Sequence, residues 1–145
     1  MPEKLFSLDE AQRLLAQVKP LMVELQLAHG ATRAAALEVG AMVERVGETK
    51  VDTPENPDRA RYWELVRKAR EGEERVQTLL DELRFLGAEV KDLDQGLLDF
   101  RTRREGETVY LCWKVGEERI AFWHDLASGF AGRRPVEELE RPRKP

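Results

Sequence analysis

From Leu8 onward the apolar positions recur in alternating steps of three and four: Leu8, Ala11, Leu15, Val18, Met22 and Leu25, then His29 and Thr32, then Ala36, Val39, Val43 and Val46. That period marks one face of an α-helix. A neighbouring row of Leu14, Leu21, Ala28, Ala35 and Met42 widens the stripe to the width seen in helical bundles. Ser7 and Glu10 have the spacing of a capping box, a hydroxyl at the N-cap and a carboxylate three residues later. The pattern predicts a first helix over 7–49, kinked or split at Pro20, where a backbone hydrogen bond is lost. Two prolines and several turn formers in VDTPENPD (51–58) reverse the chain. A second stripe, Tyr62, Val66, Ala69, Glu73, Val76, Leu80 and Leu83, predicts a helix over 57–87 with Gly87 just past its end. Long helices joined by a short loop pack antiparallel.

After Gly87 the period changes from 3.6 to 2. Turn signals at Glu105-Gly106 and Gly116-Glu117 cut residues 96–125 into three strands joined by tight hairpins. With two central residues in each turn, Leu98 faces Trp113, Phe100 faces Leu111, and Leu111 faces Phe122. One face then carries Leu98, Phe100, Val109, Leu111, Trp113, Ile120 and Phe122, with His124 at its edge. The other carries Asp99, Arg101, Arg103, Tyr110, Cys112, Lys114, Arg119, Ala121 and Trp123. A slip of one residue exchanges the two sets. The pattern predicts an α+β fold in a single domain (1–145): an N-terminal antiparallel helical hairpin with a C-terminal three-stranded antiparallel sheet. A loop and a charged, fraying tail follow over 126–145.

Composition narrows the functional classes. The 145 residues carry a net charge of −4, and the acidic excess lies in the helical part: 13 basic and 17 acidic side chains in 1–90, against 11 of each in 91–145. General nucleic-acid binding is disfavoured, because phosphate neutralisation needs basic charge. No apolar run reaches the roughly 20 residues of a membrane span, and Met1-Pro2-Glu3-Lys4 lacks a signal-peptide pattern. One cysteine cannot close an internal disulfide, so a cytoplasmic location is expected. Abundant ion-pairing residues with a single asparagine fit a thermophilic source.

Candidate chemistry is sparse. On the hairpin, Thr32 falls opposite Glu73 with His29 one turn away, which reads either as a polar pair fixing register or as a His-carboxylate ligand site. On the sheet, Asp99, Arg101, Tyr110 and Trp123 share the polar face, His124 stands at the sheet's edge, and Arg133 follows the glycine-bearing loop 126–135. An arginine beside aromatic rings can hold a carboxylate or phosphate. These six residues are the candidate ligand site; their alternative role is cross-strand and cation–π stabilisation. Two histidines and one cysteine do not build a four-ligand zinc finger. Cys112 and His124 fall on opposite faces in this register, which disfavours a nucleophilic pair; His124 and Asp125 diverge along a strand, although a strand end can bend them together as a metal-binding pair. No catalytic residue, metal site or cofactor is assigned.

The segments FSLDEAQRLL, VKDLDQGLLDF, YLCWKVGEERIAFWHDL and GFAGRRP together resemble a family of small prokaryotic proteins known only as a domain of unknown function. The likeness spans nearly the whole chain. It implies no activity. Arg101 departs from the pattern, since relatives often carry proline after the Asp-Phe pair. The function expected from the residues is a non-enzymatic interaction or structural module, self-associating through its helices as a homodimer. The alternative is a small-molecule or anion-binding protein, or an enzyme, using the polar sheet face and the Gly-Arg loop. A small anion or a further protein is the partner it would engage.

Overall fold

Ser7 opens the first helix as its spacing predicts. Its hydroxyl accepts the Glu10 amide at 3.1 Å, and Glu10 Oε1 accepts the Ser7 amide at 3.1 Å. The computed structural model describes residues 4–140. Helix α1 spans Leu8–Val46 and α2 spans Arg59–Leu86, packed as a hairpin. A five-stranded antiparallel sheet follows, in chain order: β1 (Glu89–Asp92), β2 (Leu97–Arg104), β3 (Glu107–Lys114), β4 (Phe122–His124) and β5 (Arg134–Pro135). The fold is α+β, with two more strands than the pattern predicts. β1 is short and charged, and β5 ends in a proline that an edge strand tolerates. α1 runs through Pro20 as one helix, not a split pair. No described helix is long and apolar enough to cross a membrane.

The chain forms two compact units. One is continuous, residues 24–79, and holds the loop end of the hairpin. Ala35, Met42, Val51 and Leu65 are buried there, with Val39, Val43, Val46, Tyr62 and Ala69 packed against them. The buried row is therefore the Ala35–Met42 row, while Ala36 of the predicted seam is exposed. A straight helix drifts by about 20° per heptad against a 3.5-residue repeat, which rotates the seam away. Glu73 is also exposed; the residue against Thr32 is Gly72, where a β-carbon would lie 1.9 Å from Thr32 Oγ1. The predicted Thr32–Glu73 pair is thus off by one position. Its polar seam is a threonine seated on a glycine, with the hydroxyl donating to the Ala28 carbonyl at 2.7 Å. In the connecting loop the buried Asn56 donates to the Val51 carbonyl at 2.8 Å and accepts the Asp58 amide at 3.0 Å.

The other unit combines the residues before 24 with those after 79. The first turns of α1 bury Ala11, Leu15, Val18 and Met22, and one sheet face buries Leu98, Phe100, Leu111 and Trp113. Phe6 sets its ring edge-on to Phe100, with centroids 5.5 Å apart. The Gln12 side chain donates to the Ile120 carbonyl at 2.8 Å and accepts the Ile120 amide at 2.9 Å. That pair satisfies a buried backbone segment which no strand reaches.

β2 and β3 pair in the predicted register: Leu98 with Trp113, Asp99 with Cys112, Phe100 with Leu111, Arg101 with Tyr110. The turn explains the agreement. Glu105 and Gly106 both have positive φ, 52° and 83°, as the two central residues of a tight hairpin turn with matching twist require. β3 and β4 do not pair as predicted. Leu111 faces Trp123 and Cys112 faces Phe122, one residue from the expected alignment. The reason lies in residues 115–121, which do not make a two-residue hairpin loop. The Trp113 indole donates to the Glu117 carbonyl at 2.9 Å, Glu117 Oε1 accepts the Lys114 amide at 2.7 Å, and Gln12 takes Ile120. The strand resumes only at Phe122.

Residues 136–140 form a short 3-10 turn with Val136 buried, so the predicted fraying does not begin at Glu137; the rest of the tail lies outside the described residues.

Candidate functional site

The one-residue shift of β4 exchanges its two faces. Trp123 leaves the polar face and lies behind it, alongside Leu111, whereas His124 and Phe122 join Asp99, Tyr110 and Cys112. Cys112 and His124 therefore share a face, contrary to the sequence-based expectation. Tyr110 faces His124 directly, with ring centroids 5.4 Å apart.

The centre of this face is a buried carboxylate. Asp99 is 2% exposed and His124 4% exposed, and His124 Nε2 lies 3.1 Å from Asp99 Oδ2. The other carboxylate oxygen, Oδ1, is buried and has no hydrogen-bond partner of ordinary geometry among the described residues. The Cys112 sulfur completes the group: one ligand-type atom from each of Asp99, Cys112 and His124 lies within 4.8 Å of the others. Burial raises the Asp99 carboxyl above its usual range, against the opposing influence of His124 and Cys112. Burial, and after it the Asp99 charge, pushes the Cys112 thiol up to about 12.

A cavity of about 340 Å³ opens over the group, lined also by Lys91, Leu97, Tyr110, Leu126, Gly129 and Phe130. Gly129 has φ 59° and ψ −158°, a conformation essentially reserved for glycine, and it turns the loop before Phe130. Asp125 fixes the start of that loop by accepting the amides of Ala127 at 3.0 Å and Ser128 at 2.7 Å. Those bonds hold the Asp125 carboxylate in the loop.

The predicted cations are engaged with carboxylates. Arg101 Nε donates to Glu89 Oε2 at 2.7 Å, and Lys91 Nζ reaches Glu89 Oε1 at 3.1 Å and the Tyr110 hydroxyl at 3.3 Å. Tyr110 in turn donates to Glu89 Oε1 at 3.1 Å. Arg133 packs inward, over the rings of Phe122 and Phe130, and donates to Glu117 Oε1 at 2.5 Å and the Cys112 carbonyl at 3.4 Å. Of the six predicted residues, Asp99, Tyr110 and His124 line the cavity. Arg101 and Arg133 brace its surroundings. Trp123 lies on the opposite side, in a second pocket of about 300 Å³ with Arg104 and Arg134, and its buried indole N–H is without a partner among the described residues.

Cys112, Lys91 and Phe130 were not among the predicted residues. The signal for Cys112 was present, because the β2–β3 register already set it beside Asp99. Only the slip in β4 kept His124 from joining them.

Hydrogen-bond logic constrains what the cluster can hold. His124 Nδ1 lies 2.7 Å from the Asp125 carbonyl oxygen, which can only accept, so Nδ1 carries a hydrogen. In a neutral imidazole Nε2 is then a bare lone pair, and it points at a carboxylate oxygen. Two acceptors at 3.1 Å need a positive centre shared between them, either a proton or a metal cation.

Comparison with curated proteins and with solved structures finds no match. A family model described as "Uncharacterized conserved protein (DUF2203)" matches residues 4–136. With nearly its whole length matched, the chain belongs to the DUF2203 family.

Proposed function

We propose that this protein binds a small ligand in the cavity over β2, β3 and β4, with Asp99 and His124 as its polar anchor. The observation that carries this reading is Asp99 Oδ1: a buried carboxylate oxygen without a hydrogen bond of ordinary geometry among the described residues, at the wall of a cavity. Leaving such a group unsatisfied costs several times what an ordinary surface contact contributes. Sites of this kind are kept where something binds. Because Arg101, Lys91 and Arg133 are all held by carboxylates, the ligand end that meets Asp99 carries donors or a cation, not a phosphate. Leu97, Leu126 and Phe130 suit an apolar body behind that end. The test is native mass spectrometry of unheated protein, joined to a thermal-shift screen of small amines, amides and nucleosides. The expected result is a stoichiometric adduct or a stabilisation that Asp99→Asn abolishes. If wild type and Asp99→Asn respond alike, the reading fails.

A second reading concerns assembly. Leu27, Ala31, Ala34, Leu37 and Ala41 form an exposed apolar stripe along α1, with Leu27 71% and Leu37 65% exposed. We propose that a second copy of the chain covers it, giving a homodimer through the helices. Light scattering at high micromolar concentration should give twice the 16.7 kDa chain mass. A monomer mass there rejects the dimer.

A further inference from the structure

We propose that Asp99, Cys112 and His124 are the protein ligands of a single divalent transition-metal ion, with a fourth coordination position open to the cavity. The inference deepens the small-ligand reading and rests on it, because the ion would be what the bound molecule meets.

Three independent features support the assignment. The first is the donor set. A thiolate, an imidazole and a carboxylate together are the ligand types of zinc and its first-row neighbours, not of magnesium or calcium. The second is spacing. Tetrahedral ligands of zinc stand about 3.3–3.6 Å apart given metal–ligand distances of about 2.0–2.3 Å. The Oδ2–Nε2 separation is already 3.1 Å, and the whole triad lies within 4.8 Å, so closure asks for roughly 1 Å of movement, mainly by the thiol. The third is the orientation of the histidine. A metal-bound imidazole almost always donates its second N–H to a carbonyl or carboxylate, which fixes the ring and frees the other nitrogen. The Asp125 carbonyl provides that partner at 2.7 Å, leaving Nε2 aimed into the triad.

The competing occupant is a proton. It satisfies the His124–Asp99 contact and leaves the Cys112 thiol to donate weakly to the carboxylate, although Asp99 Oδ1 has no hydrogen bond of ordinary geometry among the described residues. An ion uses all three residues at once. Three protein ligands with one open position is the arrangement of catalytic zinc sites, whereas structural sites close the shell with a fourth side chain. Among the described residues no fourth histidine, cysteine or acid joins the group. Lys91 and Tyr110 stand on the cavity wall beside the open position, able to contact a molecule bound there.

The experiment uses the full chain purified in chelator and titrated with Co²⁺, then Zn²⁺. Binding of one equivalent of Co²⁺ should produce visible absorption of a tetrahedral centre, together with sulfur-to-cobalt charge transfer in the near ultraviolet. Zn²⁺ should displace it. Cys112→Ser should remove the charge-transfer band, and Asp99→Asn should weaken Zn²⁺ by at least about 100-fold, the upper end of what losing a supporting hydrogen bond alone costs. Circular dichroism checks that both variants fold. The proposal is overturned if wild type takes up no stoichiometric ion at micromolar concentration, or if the ion binds with no sulfur signal. Repeating the small-molecule screen on the chelated protein separates the two readings. Ligand binding without metal uptake sinks the ion alone, while metal uptake with no ligand response in either state sinks the small-molecule reading and leaves the ion standing.

Discussion

The side chain of Thr32 occupies the space where a β-carbon on residue 72 would sit, with Oγ1 1.9 Å and Cβ 3.0 Å from that position. Rotating the threonine relieves the first contact but not the second. Glycine in mid-helix costs about 1 kcal/mol relative to alanine, so Gly72→Ala alone should help α2. Overpacking costs about 1–3 kcal/mol and should win here. The expected net change is a loss of about 1 kcal/mol or more, shrinking in a Thr32→Ala background, where only the 3.0 Å contact between the two β-carbons remains. A denaturation double-mutant cycle measures both. Stabilisation by Gly72→Ala in the wild-type chain would show that the helices part freely at this level.

Glu89 should govern part of the acid stability. Burial would raise its carboxyl, but hydrogen bonds from Arg101 and Lys91 outweigh that and hold it below its ordinary value of 4.5. A carboxyl depressed in the folded state contributes stability above its unfolded value, and this is lost as pH falls through the lower, folded value. Glu89→Gln should thus cost about 0.5–1.5 kcal/mol at neutral pH, allowing for its partial exposure, and flatten the limb below pH 4.5. Urea midpoints from pH 7 to pH 2.5 give the comparison. Parallel curves for the two proteins would remove Glu89 from the account.

Cys112 should resist alkylation until the sheet opens. With its thiol pushed up to about 12, labelling by iodoacetamide at pH 8 should run more than about a thousandfold slower than for a free cysteine. Denaturant should restore ordinary reactivity. Rapid labelling of the chelated native protein would show that the cavity exposes a reactive thiol.

Glu105 sits at φ 52°, where a side chain costs about 1–2 kcal/mol and asparagine is better tolerated. Glu105→Asn should raise the melting temperature by about 2–4 °C for a chain of this size. An unchanged or lower value would mean that the glutamate side chain offsets the strain.

How far the sequence carried the fold can be read along the sheet. The β2–β3 register was legible because every determinant of it is local: alternation on both strands, and a Glu-Gly pair suited to positive φ. The β3–β4 register was not, because its connection is held by Gln12, 108 residues away from Ile120. No pattern within residues 107–125 records that partner. The loss fell on the candidate site. Asp99 beside Cys112 was in the predicted pairing, and His124 was singled out, but a slip of one residue put the histidine on the wrong side. On the hairpin, the step from Glu73 to Gly72 has a comparable origin, since heptad counting over long helices accumulates drift.

The division of the chain into residues 24–79 and the remainder also bears on how the molecule is made. The loop-end unit is one uninterrupted stretch of sequence. The unit that carries the Asp99 cavity is assembled from both sides of it. On the ribosome, residues 24–79 emerge and can associate before any sheet strand has left the exit tunnel. Gln12, by contrast, emerges early and must wait for Ile120 before its amide finds its partners. Arrest of translation close to residue 120 should therefore yield nascent chains whose emerged helices resist protease while the segment before residue 24 is still cut. The site would be the last part of the protein to come into existence.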